Sequence, residues 1–141
     1  MIFLDTDHLT LLKYPESPQY AALVARMEAS PDQEIGTTIV SVEEQWRGWL
    51  AILAAFATFL AMSRHTESSC CCSIPFQRWT ILPFDEEAAA EYARLRAAGI
   101  RIGTMDLKIA SITLVHQALL LSANLSDFRK VPGLHVENWL D

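Results

Sequence analysis

Short apolar runs that resemble buried strands alternate with segments of helical pattern along this chain, and the alternation limits the folds open to it. The runs cover residues 2–4, 35–40, 80–84, 118–123 and 134–140. Most of them are rich in aliphatic or β-branched side chains over a length typical of a strand. Strands that alternate with helices pair in parallel, and the helices cover both faces of the sheet. The pattern therefore predicts an α/β fold.

Helix-start signals lie between these runs, and a further helical stretch is predicted over residues 8–13. The signals are a serine followed by a first-turn proline, the serine of a Ser-x-x-Glu capping box that ends at Glu44, and two single capping residues: Ser17, Ser41, Asp85 and Thr104. Gly99 is placed to end the helix that Asp85 begins.

The length and the apolar content predict a single domain over residues 1–141. Half of the chain is hydrophobic (51%), which supplies one core and excludes a disordered chain. The longest uncharged apolar run covers residues 49–62, whereas a membrane-spanning helix needs about 18–20 such residues. The first residues lack the basic region of a secretory signal. We therefore expect a cytoplasmic protein without a membrane segment.

Residues 51–75 are atypical of the rest of the sequence. The first part is apolar on every face of a helix, and the second part, with Cys70, Cys71 and Cys72, has no periodicity. One hypothesis is that this stretch is read in a shifted frame. The other is a genuine hydrophobic helix and loop that forms a dimer face. The coding DNA distinguishes them, because a shifted frame requires an amphipathic segment in another reading frame.

Four acidic residues stand where a parallel sheet places its functional groups. One follows the first strand, one lies in the first turn of the helix after the second strand, one begins the helix before the fourth strand, and one follows that strand: Asp5, Glu44, Asp106 and Asp127. Ligands bind at the carboxyl ends of such strands, at the topological switch point. If the first and fourth strands are neighbours, these acids converge.

Converging carboxylates repel one another, so a site built from several of them needs bound cations. Oxygen ligands with open positions suit Mg²⁺ or Mn²⁺, which can activate a water and stabilise charge on a phosphoryl group. The chain itself is acidic, with 17 acids against 11 bases and a net charge of −6, and so attracts nucleic acid poorly. A metal between the acids and a phosphate would remove that obstacle.

Each acid also has a simpler structural explanation. Glu44 can serve only the capping box, Asp106 only a helix N-terminus, and Asp127 only a turn. Asp5 is the most informative of the four, because a carboxylate directly after a buried strand needs a reason for its cost. The four histidines, His8 among them, form no spaced set and receive no role in this prediction.

Four ordered blocks of the sequence resemble those of PIN domains, in particular of the VapC-type toxins of bacterial toxin–antitoxin pairs. The blocks are IFLDTD at residues 2–7, IVSVEEQWRG at 39–48, GTMDLKIA at 103–110, and LSANLSDF followed by VPGL between 121 and 134. In the second block the acid stands four residues before a glycine, which selects Glu44 over Glu43. The resemblance covers the chain except for about residues 51–75.

The resemblance implies a PIN-like, three-layer α/β/α fold with a five-stranded, mostly parallel sheet. It implies a Mg²⁺- or Mn²⁺-dependent endoribonuclease that acts on a structured RNA such as tRNA, forms a homodimer and is inhibited by a cognate VapB-type antitoxin. The catalytic metal ligands would be Asp5, Glu44, Asp106 and Asp127. The supporting residues would be Thr6, Asp7, Thr104 and Asn124. The family more often has Asn where this chain has Asp7, and the extra charge is expected to shift the metal preference.

Two other functions stay open at this point. Asp5-x-Asp7 after a strand is also the start of phosphatases of the haloacid-dehalogenase kind, although these need a paired acid after the last strand. The non-enzymatic alternative is an inactive or damaged PIN domain that only binds an antitoxin, with residues 51–75 as the cause.

Overall fold

The computed structural model describes residues 1–32, 34–62 and 79–140, and within α3 it describes no side chain at residue 53 or at residues 56–62. The elements, in chain order, are β1 (Ile2–Leu4), α1 (Thr6–Leu11), α2 (Pro18–Ala29), β2 (Ile35–Thr38), α3 (Ile39–Met62), β3 (Thr80–Leu82), α4 (Glu86–Ala97), α5 (Thr104–Val115), β4 (Leu119–Leu121), α6 (Leu125–Phe128) and β5 (His135–Glu137).

The five strands form one sheet in the order β3-β2-β1-β4-β5, and every neighbouring pair is parallel. The predicted α/β class and five-stranded parallel sheet are confirmed. From β1 the chain builds β2 and β3 on one side and then crosses to build β4 and β5 on the other. The order of the strands therefore reverses between β1 and β4, which makes this the switch point of the sheet.

Helices cover both faces of the sheet, because successive strand residues point to opposite sides. Phe3 and Leu120 face one side and belong to a buried cluster with side chains of α4 and α5. Ile2, Leu4 and Leu121 face the other side and pack with residues of α1, α2 and the C-terminal segment: Leu9, Leu23, Met27 and Trp139. These two clusters give the three-layer α/β/α arrangement.

The start of α3 differs from the prediction. The predicted capping box at Ser41 is wrong, since the helix already begins at Ile39 and β2 ends at Thr38. The hydroxyl of Thr38 accepts the backbone N–H of Ser41 at 3.1 Å, as an N-cap side chain does. The Ser41 hydroxyl lies 3.1 Å from the Thr38 hydroxyl and 3.4 Å from Asp5 Oδ1, so it faces the site described below.

The other helix ends agree in part with the sequence signals. Ser17 and Asp85 cap α2 and α4 through their side chains, as predicted, and Gly99 follows α4 with φ of +82°. Thr104 is the first helical residue of α5 rather than its cap, because Gly103 holds the cap position. The short helix α6 is not predicted by the sequence pattern.

The atypical segment lies only partly within the described residues. Residues 51–62 continue α3, whereas residues 63–75, with the three cysteines, lie outside the described residues. None of the described helices, α3 included, is long and apolar enough to span a lipid bilayer. The frame-shift hypothesis concerns the coding DNA and stays a prediction.

Candidate active site

Asp5 lies at the carboxyl end of β1, beside β4, and its side chain is buried, with 6% of the residue exposed. Its backbone N–H donates to the carbonyl of Leu121 and fixes its place between the two strands. The carboxylate accepts hydrogen bonds from the Thr6 N–H and the Ser122 hydroxyl, both at 2.7 Å, and from the Ser41 hydroxyl at 3.4 Å. Burial raises the pKa of Asp5 to about 6 against these bonds, and the charges of Asp7 and Glu44 raise it further.

Glu44 projects from the second turn of α3 toward the same edge of the sheet. Its carboxylate accepts the Thr6 hydroxyl at 2.5 Å. Thr6 therefore connects two of the predicted acids, because its N–H binds Asp5 and its hydroxyl binds Glu44. The next residue, Gln45, is buried, and its side-chain amide donates a hydrogen bond to the Thr6 carbonyl at 2.9 Å. This bond connects α3 to α1.

Asn124 joins the other two acids. Its side-chain amide donates to Asp106 at 3.2 Å and to Asp127 at 3.3 Å. Burial raises the pKa of Asp106, and three neighbouring carboxylates raise it further: Glu44, Asp127 and Asp7. Charge interactions thus link the acids in two groups that share Glu44 and Asp7, because both of these carboxylates act on Asp5 and on Asp106.

Asp127 has a partly exposed carboxylate that is partly neutralised. Its carboxylate accepts the Lys130 ammonium at 2.5 Å, and 31% of its side chain is exposed. The hydrogen bonds from Lys130 and Asn124 lower the pKa of Asp127. Asp127 therefore forms the outer border of the acidic cluster, whereas Asp5 forms its buried end.

The structure places the remaining predicted residues differently. Asp7 accepts a hydrogen bond from the backbone N–H of Ala123 at 2.7 Å. This bond connects the first turn of α1 to the loop after β4. Burial raises the pKa of Asp7, but hydrogen bonding to His8 and Ala123 outweighs it, so that the pKa is lowered overall. Thr104 is exposed at the start of α5. Beside it, Gly103 allows a close approach, since a Cβ there would lie 3.1 Å from an Asp106 oxygen.

The sequence pattern gives the two serines that bind Asp5 no role in the acidic site. Ser122 follows β4 directly, as Asp5 follows β1, and the register Leu4↔Leu121 sets the two residues side by side. That signal becomes readable only when the strand neighbours are known. The sequence pattern assigns Ser41 to a helix cap and gives His8 no role.

The donor set suits a hydrated divalent ion rather than a closed metal cage. Over residues 1–32, 34–62 and 79–140, no three acidic, histidine or cysteine side chains are arranged to hold an ion between them. Mg²⁺ in proteins keeps several waters and binds through one or two carboxylates. Burial and the neighbouring carboxylates raise the pKa values of Asp5 and Asp106, and a cation bound beside them would favour their charged forms. The residues present therefore fit a hydrated Mg²⁺ or Mn²⁺.

Comparison with known sequences adds two relatives. No protein-family model matches the chain. It is 42% identical over 62 residues to ribonuclease VapC1 of Rickettsia felis, an alignment that covers 41% of this chain and 46% of the relative. It is 35% identical over 66 residues to ribonuclease VapC2 of the same organism, covering 44% and 49%. The chain thus spans about half the length of the curated relatives that it matches.

Solved structures share the fold over nearly the whole chain. A chain of FitAcB from Neisseria gonorrhoeae superposes with a TM-score of 0.69 at 23% identity, covering 99% of this chain and 98% of that one. A chain of VapBC-1 from nontypeable Haemophilus influenzae gives 0.67 at 21% identity, with both chains fully covered. A chain of DNA-bound VapBC2 from Rickettsia felis gives 0.64 at 21% identity, covering 99% of each. At these identities the likeness concerns the fold.

Proposed function

We propose that this chain is a metal-dependent endoribonuclease of the VapC type, the toxin of a toxin–antitoxin pair. The observation that carries the proposal is the convergence of Asp5, Glu44 and Asp106 at the switch point between β1 and β4. The two relatives named as VapC ribonucleases support the reaction class. The protein would act in the cytoplasm, on a structured RNA such as tRNA.

The acids would hold one or more hydrated Mg²⁺ or Mn²⁺ ions, each through one or two of Asp5, Glu44 and Asp106, with Asp127 as the outer acid. A bound ion of this kind supplies an activated water and stabilises the charge of a phosphoryl group under attack. The chain's own residues orient the ligands. Thr6 fixes Glu44 through its hydroxyl, and Asn124 holds Asp106 through its amide.

A VapB-type antitoxin would bind an exposed apolar stripe on α3, which we define as Ile39, Trp46 and Leu50. These side chains follow one another at intervals of seven and four residues and so lie on one face of the helix. Trp46 is 63% exposed and Leu50 is 60% exposed. Large apolar side chains exposed together mark protein-binding surfaces. A homodimer is the second assembly that we propose.

RNA cleavage by Glu44→Gln and Glu43→Gln tests the active site. Glu43 is the adjacent acid, half exposed and paired with Arg47 at 2.5 Å, so it controls for charge and for helix stability. We expect cleavage in Mn²⁺ or Mg²⁺ that stops in EDTA. Glu44→Gln should lower the rate by at least about 100-fold, as loss of a group that stabilises transition-state charge does. Glu43→Gln should keep the wild-type rate.

Four outcomes would contradict the proposal. Equal losses of cleavage rate in the two glutamine variants would show that Glu44 has no specific role in the site. Cleavage that continues without a metal would show that no metal ion takes part in the reaction. A folded protein that binds Mn²⁺ and its antitoxin but cleaves no RNA would favour the inactive, antitoxin-binding alternative, whereas hydrolysis of a small phosphomonoester alone would favour a phosphatase.

A further inference from the structure

His8 is fully buried, and its ring has a defined hydrogen-bonding state. The Nε2 atom accepts the backbone N–H of Trp139 at 3.2 Å. A nitrogen that accepts a hydrogen bond carries no proton, so the proton of the neutral ring is on Nδ1. The tautomer is therefore set by the C-terminal segment.

The protonated side of this ring faces Asp7. The Nδ1 atom lies 3.7 Å from Asp7 Oδ1, which is longer than a hydrogen bond and short enough for electrostatic attraction. Among the residues described, Nδ1 is a buried polar atom without a hydrogen-bond partner. A buried donor directed at a single carboxylate stabilises that carboxylate in its charged form.

Asp7 in turn anchors the loop that completes the site. Its Oδ1 accepts the backbone N–H of His8 at 3.2 Å, and its Oδ2 accepts that of Ala123 at 2.7 Å. Ala123 stands between Ser122, which binds Asp5, and Asn124, which joins Asp106 to Asp127. The hydrogen bond to Asp7 therefore helps to position both acid-binding residues, together with the bonds from the Ser122 N–H to the Glu137 carbonyl and from the Asn124 N–H to the Ser122 hydroxyl.

The other end of this series of contacts is held firmly. Trp139 is buried in the cluster beneath β1, and its indole N–H donates to Glu137 at 2.6 Å. The guanidinium of Arg26 lies 4.7 Å from the centre of the Trp139 ring and 3.6 Å from Glu137. The backbone N–H that binds His8 therefore has little freedom to move.

We propose that His8, in its Nδ1–H tautomer, is a positioning residue for the acidic site. It holds Asp7 in place as the anchor of residues 122–124, and through them it sets the arrangement of Asp5, Asp106 and Asp127. Asp7 is then an anchor of the loop and not a metal ligand. This inference rests on the proposed ribonuclease function.

The first test is the tautomer itself, in the wild-type protein without metal or RNA. Nitrogen-15 NMR of the histidine rings should show a protonated Nδ1 and an unprotonated Nε2 for His8. A protonated Nε2 would overturn the inference whatever the protein cleaves.

The second test separates the two contacts of the ring with three variants. The amide of Asn can replace the Nδ1 donor toward Asp7, the amide of Gln can replace the Nε2 acceptor toward Trp139, and Leu replaces neither. We expect His8→Asn to retain Mn²⁺ affinity and kcat best, and His8→Gln and His8→Leu to lose about 10–100-fold, as partners of metal-site residues do. The KM for RNA should stay unchanged, because the fully buried His8 ring cannot contact RNA.

A merely structural role gives a different order. His8→Gln would then rank first, and Mn²⁺ affinity would follow thermal stability across the three variants, which would overturn the inference. The two proposals also fail separately. If the wild type binds Mn²⁺ and cleaves no RNA, the ribonuclease function fails, while the tautomer and the order of Mn²⁺ affinities still decide the role of His8.

Discussion

Three of the acids at the site are held by hydrogen-bond donors that carry no charge. Asp5 is held by two hydroxyls and a backbone N–H, Glu44 by the hydroxyl of Thr6, and Asp106 by the amide of Asn124. These donors are neutral, so they orient the carboxylates without cancelling their charge. The site therefore keeps the negative charge that a divalent cation would require.

Asp5→Asn should stabilise the metal-free protein while abolishing cleavage. The pKa of Asp5 in the folded protein is about 6, above its ordinary value of 3.8, so folding opposes ionisation. Between these pH values the folded state binds more protons than the unfolded state, and the free energy of unfolding falls as pH rises. Above pH 7 the full cost, on the order of 3 kcal/mol, is present.

Urea unfolding in EDTA between pH 4 and pH 8 measures this effect. The stability advantage of Asp5→Asn over the wild type should grow up to about pH 7 and then level off. Asp127→Asn is the matched control, because the pKa of Asp127 is lowered and its loss should bring no gain. A variant that is less stable than the wild type at pH 8 would show that the hydrogen bonds of Asp5 outweigh its burial.

At the scale of elements, the strands are short, and their pairing depends on close contact between backbones. Gly36 in β2 lies opposite Thr80 in β3. A Cβ at Gly36 would lie 2.5 Å from the Thr80 carbonyl oxygen, which is backbone and cannot move aside cheaply. The β2–β3 pairing therefore requires glycine at this position.

Gly36→Ala should lower the free energy of unfolding by about 1–3 kcal/mol, the usual cost of overpacking. Gly48→Ala is the opposite case, because nothing lies within 4 Å of its Cβ position on α3. Alanine there should raise stability by up to about 1 kcal/mol through helix propensity. Denaturant titration of both variants checks the pair, and a harmless Gly36→Ala would contradict the strand spacing described.

At the scale of the whole molecule, α3 has two roles. Its N-terminal part packs against α1, α5 and β2 and carries Glu44 into the site. The same part carries the apolar stripe, which faces solvent. The described side chains that follow it, at residues 51, 52, 54 and 55, are also exposed. Catalysis and partner binding would therefore use two faces of one helix. A substitution on the apolar stripe could then abolish partner binding and leave the arrangement of the acids unchanged.

Trp46→Ala combined with Leu50→Ala should weaken antitoxin binding by about 30-fold or more, since an interface anchor contributes 2 kcal/mol or more. Thermal stability should change little, because both side chains are already mostly exposed. Arg47→Ala, on the same turn, is the control. Isothermal titration with a VapB-type antitoxin measures the affinity, and an unchanged affinity would place the interface elsewhere. Sedimentation of the same variants tests the homodimer.

Much of the fold could be read from residues that act locally. Ile2–Leu4 forms a strand because it is short and apolar, and Ser17 and Asp85 cap helices through their own side chains. The capping box at Ser41 failed for the same kind of reason, since Thr38 offered a competing cap three residues before the expected one. Local chemistry predicts that a helix begins, and it leaves the choice between adjacent caps to packing.

The sequence by itself determined the α/β class and which four acids are candidates for the site, because strand length, helix period and the place of an acid after a strand are properties of neighbouring residues. Only the tertiary structure decided which groups meet those acids. Ser122 reaches Asp5 across 117 positions of sequence and Trp139 reaches His8 across 131, because β1 and β4 pair and the C-terminal segment packs beneath them. Contacts of that range follow from strand order, which no local pattern encodes.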